Sequence, residues 1–284
     1  MKSENRTTLT SNRLFWRSSA FKPSLHHENI FAVAGVVIKE LYRRKDFYVL
    51  FIVTILICLV MASVNIFNDD KIVRYLKEIS LLLIWISTLV MAITTTARQI
   101  PAERENRTLL PLLAKPLSRT HLILGKFFGC WFACGLALLV FYIFFGALAA
   151  SREHHLPFLD YFQAAVLHWF MLGVVVAMAL LGSLVFAAPS SNSTICFVVV
   201  GGILLVGRHL DQVALTLREP VRSLTLVVYF AIPHLELFDV RDLVIHNWPL
   251  IPWKYFSLAI LYALAYTGVF LTGACMVFRR KAVN

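Results

Sequence analysis

Six apolar runs, most of them near the length that carries a helix through lipid, dominate the chain: Phe47–Phe67, Ile79–Ala97, Leu122–Ala149, Ala164–Ala188, Ser193–Val206 and Tyr255–Phe278. A helix needs about 20 apolar residues to cross roughly 30 Å of hydrocarbon, where every backbone N–H and C=O must be paired internally. The expected fold class is therefore an all-α integral membrane protein with six transmembrane helices. The fifth run is the shortest and carries Gly201 and Gly202, with Gly207 just beyond it. It either extends through Leu210 or breaks before the far interface. Composition agrees: 59% of the 284 residues are hydrophobic and 15% charged, against about 45–50% and about 25% in soluble domains.

The chain holds 27 Lys and Arg against 16 Asp and Glu. Such an excess suits either nucleic acid or the positive-inside rule, and placement decides between them. With a cytoplasmic N-terminus, segments 1–46, 98–126, 189–192 and 279–284 lie inside and hold 18 of the basic residues. Their net charge is +12 and that of the outer segments −1, which together make the formal +11. The bias is topological, and no nucleic-acid partner is needed.

Residues 1–27 form a polar, basic tail without the apolar core of a signal peptide, expected to be loosely ordered in the cytoplasm. In 28–46, Ile30, Phe31, Ala34, Val37, Ile38, Leu41 and Tyr42 recur at three- and four-residue spacing, with Lys39, Glu40, Arg43, Arg44 and Lys45 between or after them. That pattern predicts an interfacial amphipathic helix, either an anchor on anionic lipid or a part with a mechanical role. Residues 47–284 make up one transmembrane domain. Its outer segment 211–254 contains an apolar stretch, Leu224–Ile232, too short to span lipid and closed by Pro233, which predicts a re-entrant or interfacial piece.

Few residues offer chemistry. A phosphate-binding loop needs Gly, four residues, then Gly-Lys-Ser/Thr, whereas Gly125-Lys126 is followed by Phe127 and has no glycine at the required spacing. His155 and Asp160, with His154 alongside, have the His-x4-Asp spacing of glycerolipid acyltransferases, in which the carboxylate orients a histidine base. No second acyltransferase block accompanies them, and a solvated loop explains them as well. Cys130 and Cys134 with Met171 and Met178 could hold a soft metal, or simply pack. Gly125, Gly129 and Ala133 on the same run favour close helix approach. All five cysteines fall in apolar runs and imply no disulfides. The span interiors lack the carboxylates of ion-coupled transporters, and His168 reads as a hydrogen-bonded residue near an interface. Any work done here must be powered from elsewhere.

The loop 98–121 is the most informative. Pro101 suits a first helical turn, Glu103 and Glu105 suit the positive end of a helix, and Leu109, Leu110, Leu112 and Leu113 offer an apolar face that Pro116 closes. Read on its own, the segment could equally be an interfacial linker. Its motifs Glu103-Arg104-Glu105, Thr108-Leu109, Leu112-Leu113, Pro116-Leu117-Ser118-Arg119 and Gly125-Lys126 resemble those of type-2 ABC exporter permeases. The resemblance is particularly to the bacterial branch that includes nitrous-oxide-reductase maturation and gliding-machinery permeases.

The resemblance implies a coupling helix in which Glu103, Arg104, Glu105, Thr108, Leu109, Leu112, Leu113 and Arg119 dock on a separate ATPase. It implies a re-entrant segment around Pro233, Glu236 and Phe238, a dimer with a second copy or a homologous permease, and residence among the lipids of a bacterial inner membrane. ATP and magnesium would belong to the ATPase, with no cofactor, metal or catalytic residue on this chain. Arg107 stands where relatives often have Gly, and Pro111 interrupts a stretch that is usually continuous, so a kinked or shortened coupling element is the expectation.

Overall fold

The computed structural model describes residues 33–40, 43, 45–63, 69–105, 119–153 and 158–280. Among them are α1 (33–40), α2 (Lys45–Ser63), α3 (Asp69–Ala97), α4 (Gln99–Glu105), α5 (Arg119–Glu153) and α6 (Phe158–Val185). There follow α7 (Pro189–Thr216), α8 (Val221–Ala231), a 3-10 turn (Leu235–Phe238), α9 (Arg241–Ile245) and α10 (Trp253–Arg280). No strand occurs among the described residues. Each apolar run carries a helix, and among the described residues four stretches are long and apolar enough to cross a membrane, Arg74–Glu103, Thr120–Ala150, Phe158–Val185 and Trp253–Arg280, or five if the bent pair described below is one span.

The fifth run does not break. Pro189 opens α7 in the first turn, where its missing N–H costs no helical bond, and the helix continues to Thr216. Arg208, His209, Asp211 and Gln212 interrupt the apolar run, which therefore ends before the helix does.

The bundle centres on α6, whose sixteen buried residues include the consecutive stretch Met171 to Ala177. Helix α10 packs against it, as do α3 and α5. Three small residues let α5 approach its neighbours α6 and α1 closely. Trp131 on α5 and Trp169 on α6 stack at 4.6 Å between ring centroids and 16° between planes. Each indole N–H donates to the other residue's backbone carbonyl, Trp131 to Trp169 at 3.0 Å and Trp169 to Trp131 at 3.2 Å. Gly135 and Gly173, one turn beyond each tryptophan, leave room for the facing rings; a Cβ on Gly173 would lie 2.9 Å from the Trp131 Nε1. The arrangement repeats a five-residue pattern, Trp131-Phe132-x-x-Gly135 and Trp169-Phe170-x-x-Gly173, on two helices.

The third small residue is Gly129. A Cβ there would stand 2.7 Å from the Cβ of Val37 and 3.1 Å from the Cα of Ala34, so α1 lies directly on the α5 backbone. Ala34 and Val37 are buried while Val36, Lys39 and Glu40 face outward, as the amphipathic spacing predicts. A Gly129→Leu chain should shed α1. A cysteine at Val37, shielded in the parent protein, should then react with a water-soluble maleimide; unchanged protection would show that other contacts hold α1.

Several polar side chains inside the bundle find partners, as a medium without water favours. Thr54 on α2 bonds Ser87 on α3 at 2.8 Å. Thr88, Thr94 and Thr95 turn their hydroxyls back to the carbonyls of Ile84, Val90 and Met91. His168 is buried and its Nε2 lies 3.0 Å from the Thr88 hydroxyl, in keeping with a hydrogen-bonded histidine. Asn192 on α7 is fully buried, fills the space left by Gly182 and donates to the Ala179 carbonyl at 3.0 Å.

Helix α8 and the segment Leu235–Ile245 form a bent pair at 42°, with the geometry of a broken span or a re-entrant loop. Pro233 sits at the bend. Leu235, Phe238, Leu243, Val244 and Ile245 are buried, so the second arm plugs one end of the bundle. Lys77, 1% exposed on α3, donates to the Val244 carbonyl at 3.4 Å and to the Asn247 Oδ1 at 3.0 Å. Asn247 has a φ of 51°, a left-handed value that asparagine tolerates, and the Trp248 N–H closes onto the Leu243 carbonyl at 3.0 Å. The Gln163 amide on α6 both donates to and accepts from the Ile251 backbone. Arg241 holds Asp239 with two bonds of 2.7 Å and lies over the Trp85 ring at 5.1 Å.

Candidate functional site

At the opposite end of the bundle, the α3 helix passes through a single residue, Arg98, into α4. Pro101 lies in the first turn of α4, where the helix start tolerates it. What fixes α4 is Lys126, on the second turn of α5 and 2% exposed. Its ammonium donates to the Gln99 carbonyl at 3.2 Å, the Gln99 Oε1 at 3.3 Å and the Glu103 Oε1 at 2.7 Å. A buried ammonium is costly unless its hydrogens are taken up, and here α4 takes them at two successive turns. Ile100 is fully buried and Pro101 buried beside it, so α4 is seated on the bundle by apolar contact as well as by charge.

Of the residues assigned to docking from sequence, Glu103 thus lies on α4 in an ion pair with Lys126. Arg104 and Glu105 are on α4, and Arg119 opens α5; the described residues do not extend to their side chains. Thr108, Leu109, Leu112 and Leu113 fall outside the described residues, as do Arg107 and Pro111. Sequence reasoning singled out Lys126 only within a Gly-Lys pair. Its pairing with Glu103, 23 positions away, had no signal at helical spacing.

At the plug, Pro233, Glu236 and Phe238 come together. Phe238 is buried, and the Glu236 Oε1 accepts from the His234 Nδ1 at 3.0 Å. The carboxylate lies against α7 at Gly207, where a Cβ would approach both its oxygens to 3.0 Å. Tyr262 on α10 accepts the His234 N–H at 2.9 Å, and the Tyr266 hydroxyl donates toward the Phe230 and Ile232 carbonyls. The plug is therefore tied to both α7 and α10.

Among the described residues no group of three or more His, Cys, Asp and Glu could hold a metal ion. Asp160 lies in the first turn of α6, where a carboxylate suits the positive end of the helix, and His154 and His155 fall outside the described residues. Cys130 and Cys134 are buried in the apolar core together with Met171.

A family model, the ABC-2 family transporter protein, matches residues 31–283. The chain belongs to that family. It is a type-2 ABC permease, a multi-pass membrane protein of the transport kind, and the match runs from α1 to the end of α10. No curated protein matched the sequence. In this permease the segment named above for coupling begins at α4, and the plug lies at the far end of the same bundle.

Proposed function

We propose that this permease is the membrane subunit of an ABC exporter, coupling ATP hydrolysis on a separate chain to movement of a cargo across a bacterial inner membrane. The observation that carries the reading is α4: a short helix continuing the α3 span, seated on a buried lysine, leading into the leucine-rich loop 106–118. Family membership supplies the kind of partner, an ATPase subunit. Two permease copies, each with six spans, would carry two ATPases at the cytoplasmic face. Glu105, Thr108, Leu109, Leu112 and Leu113 would meet the ATPase, with Glu103 and Arg119 framing the element.

Sidedness follows from charge. Residues 98–121 and both termini face the cytoplasm, and the plug end faces outward. A cysteine at Ser118 should resist an impermeant maleimide in intact cells and react in inverted vesicles; one at the exposed His246 should do the reverse. Reaction of Ser118→Cys from outside would reject this topology.

The cargo is amphipathic or lipid-like. Support comes from the two fully buried lysines, Lys77 and Lys126, which sit at opposite ends of the bundle and are occupied by protein acceptors. Export of a small hydrophilic ion alone by reconstituted vesicles would contradict this.

A further inference from the structure

The first third of α5 is where three other elements meet. Within six residues, Lys126 grips α4, Gly129 receives α1 and Trp131 locks onto α6. Residues three and five positions apart along a helix move together, because the backbone between them is held by its own hydrogen bonds.

We propose that Lys126 is a positioning residue of the transport cycle: its ammonium links α4 to α5, so that a displacement of α4 is carried into the α5/α6 pair. The inference rests on the docking reading above and extends it to a residue outside the docking element. The three acceptors of Lys126 all belong to α4, two on Gln99 and one on Glu103, so the ammonium holds that helix in position and rotation together. Arg98 alone separates α4 from α3, and its carbonyl accepts the Ala102 N–H at 3.0 Å, while α4 also packs on α6. From Lys126 the path to α6 is short and stiff, since Trp131 and Trp169 stack and exchange indole hydrogen bonds with no intervening loop. Losing the ammonium would remove the donor that these three acceptors share and leave α4 held to the bundle by the apolar contacts of Ile100 and Pro101.

The test uses the permease bound to its ATPase in nanodiscs, with spin labels at two exposed positions near the plug, Phe158 and Val221. The distance is measured without nucleotide and after trapping with ATP and vanadate. The parent complex should show a nucleotide-dependent shift. Lys126→Met, studied with the ATPase in saturating excess so that weaker docking is made up, should lose the shift. Lys126→Gln, whose amide still donates toward Glu103 and Gln99, should recover part of it, and this variant carries the test should the methionine chain fail to insert. A full shift in Lys126→Met, or no shift in Lys126→Gln together with loss of the ATPase, would overturn the positioning role while leaving the exporter reading intact. A parent complex with ATPase bound but no shift would overturn the positioning role, and a permease that binds no ATPase would overturn both.

Discussion

Replacing Leu109 and Leu112 together by aspartate will release the ATPase and stop transport while membrane insertion and folding persist. Binding energy at such contacts comes mainly from apolar side chains buried in a partner's cleft, and two leucines at helical spacing meet that description. Each buried leucine is worth about 1.5–3 kcal/mol, so two of them account for a loss of roughly a hundredfold to ten-thousandfold in affinity. Rim carboxylates contribute about 0–1 kcal/mol per pair. Reversing Glu105 should accordingly change the salt dependence of assembly more than its extent. Glu103 differs, because its partner Lys126 is buried within the same chain. Glu103→Lys should destabilise the seat of α4 itself. Co-purification of ATPase and permease at two salt concentrations reads all three variants. Retention of the ATPase by the double-aspartate chain would reduce loop 98–121 to a linker.

Gly135→Leu should be the most damaging single change within the membrane. The side chain would enter the space of the Trp169 indole, whose Cε2 would lie 2.9 Å from the new Cβ and whose ring cannot withdraw without breaking the stack with Trp131. Overpacking of a close interface costs about 1–3 kcal/mol. The two reciprocal indole bonds lost with it add about 0.6 kcal/mol each. A destabilisation of about 3 kcal/mol should appear in thermal unfolding of the detergent-solubilised chain, together with a red shift of tryptophan emission as the indoles meet lipid or water. Gly173→Leu should do the same from the other helix, whereas Gly268→Leu, on a stretch of α10 with no atom in reach, should be nearly silent. Equal stability of the Gly135 and Gly268 variants would show that the tryptophan stack does not hold α5 to α6.

Much of this architecture was legible in the chain because lipid imposes a single requirement, backbone pairing within each segment, and run length reports it directly. The amphipathic spacing of Ala34 and Val37 and the small residue Gly129 were each visible, and the structure joins them. The Trp-Phe-x-x-Gly pattern at 131 and 169 was also in the sequence, but a search for repeats of domain length passes over a five-residue motif inside apolar runs. It becomes meaningful only when two helices run antiparallel and each glycine faces the other's tryptophan.

Charges were less legible. Lys77 counted only as an outer basic residue, yet it is buried under the plug and spends its charge on a carbonyl and an asparagine. Lys126 and Glu103 read as a cytoplasmic cation and a docking carboxylate, yet they meet each other. Pairings across 23 positions, and across 170 in the case of Lys77 and Asn247, depend on which helices become neighbours. Side-chain periodicity carries no information about that. The extent of α7 was legible only as one of two alternatives: helical hydrogen bonding continues past Leu210 to Thr216, beyond the end of the apolar run.

The central claim is that an ATPase sits on the loop that begins with α4. A photoreactive amino acid placed at Leu109 tests it most directly, with the same probe at Leu250 near the plug as the comparison. Irradiation of intact membranes should join the Leu109 probe to a chain carrying a phosphate-loop ATPase sequence, identified by mass spectrometry, and should join the Leu250 probe to none. Crosslinking of Leu109 to lipid alone, or of the ATPase to Leu250, would contradict the account.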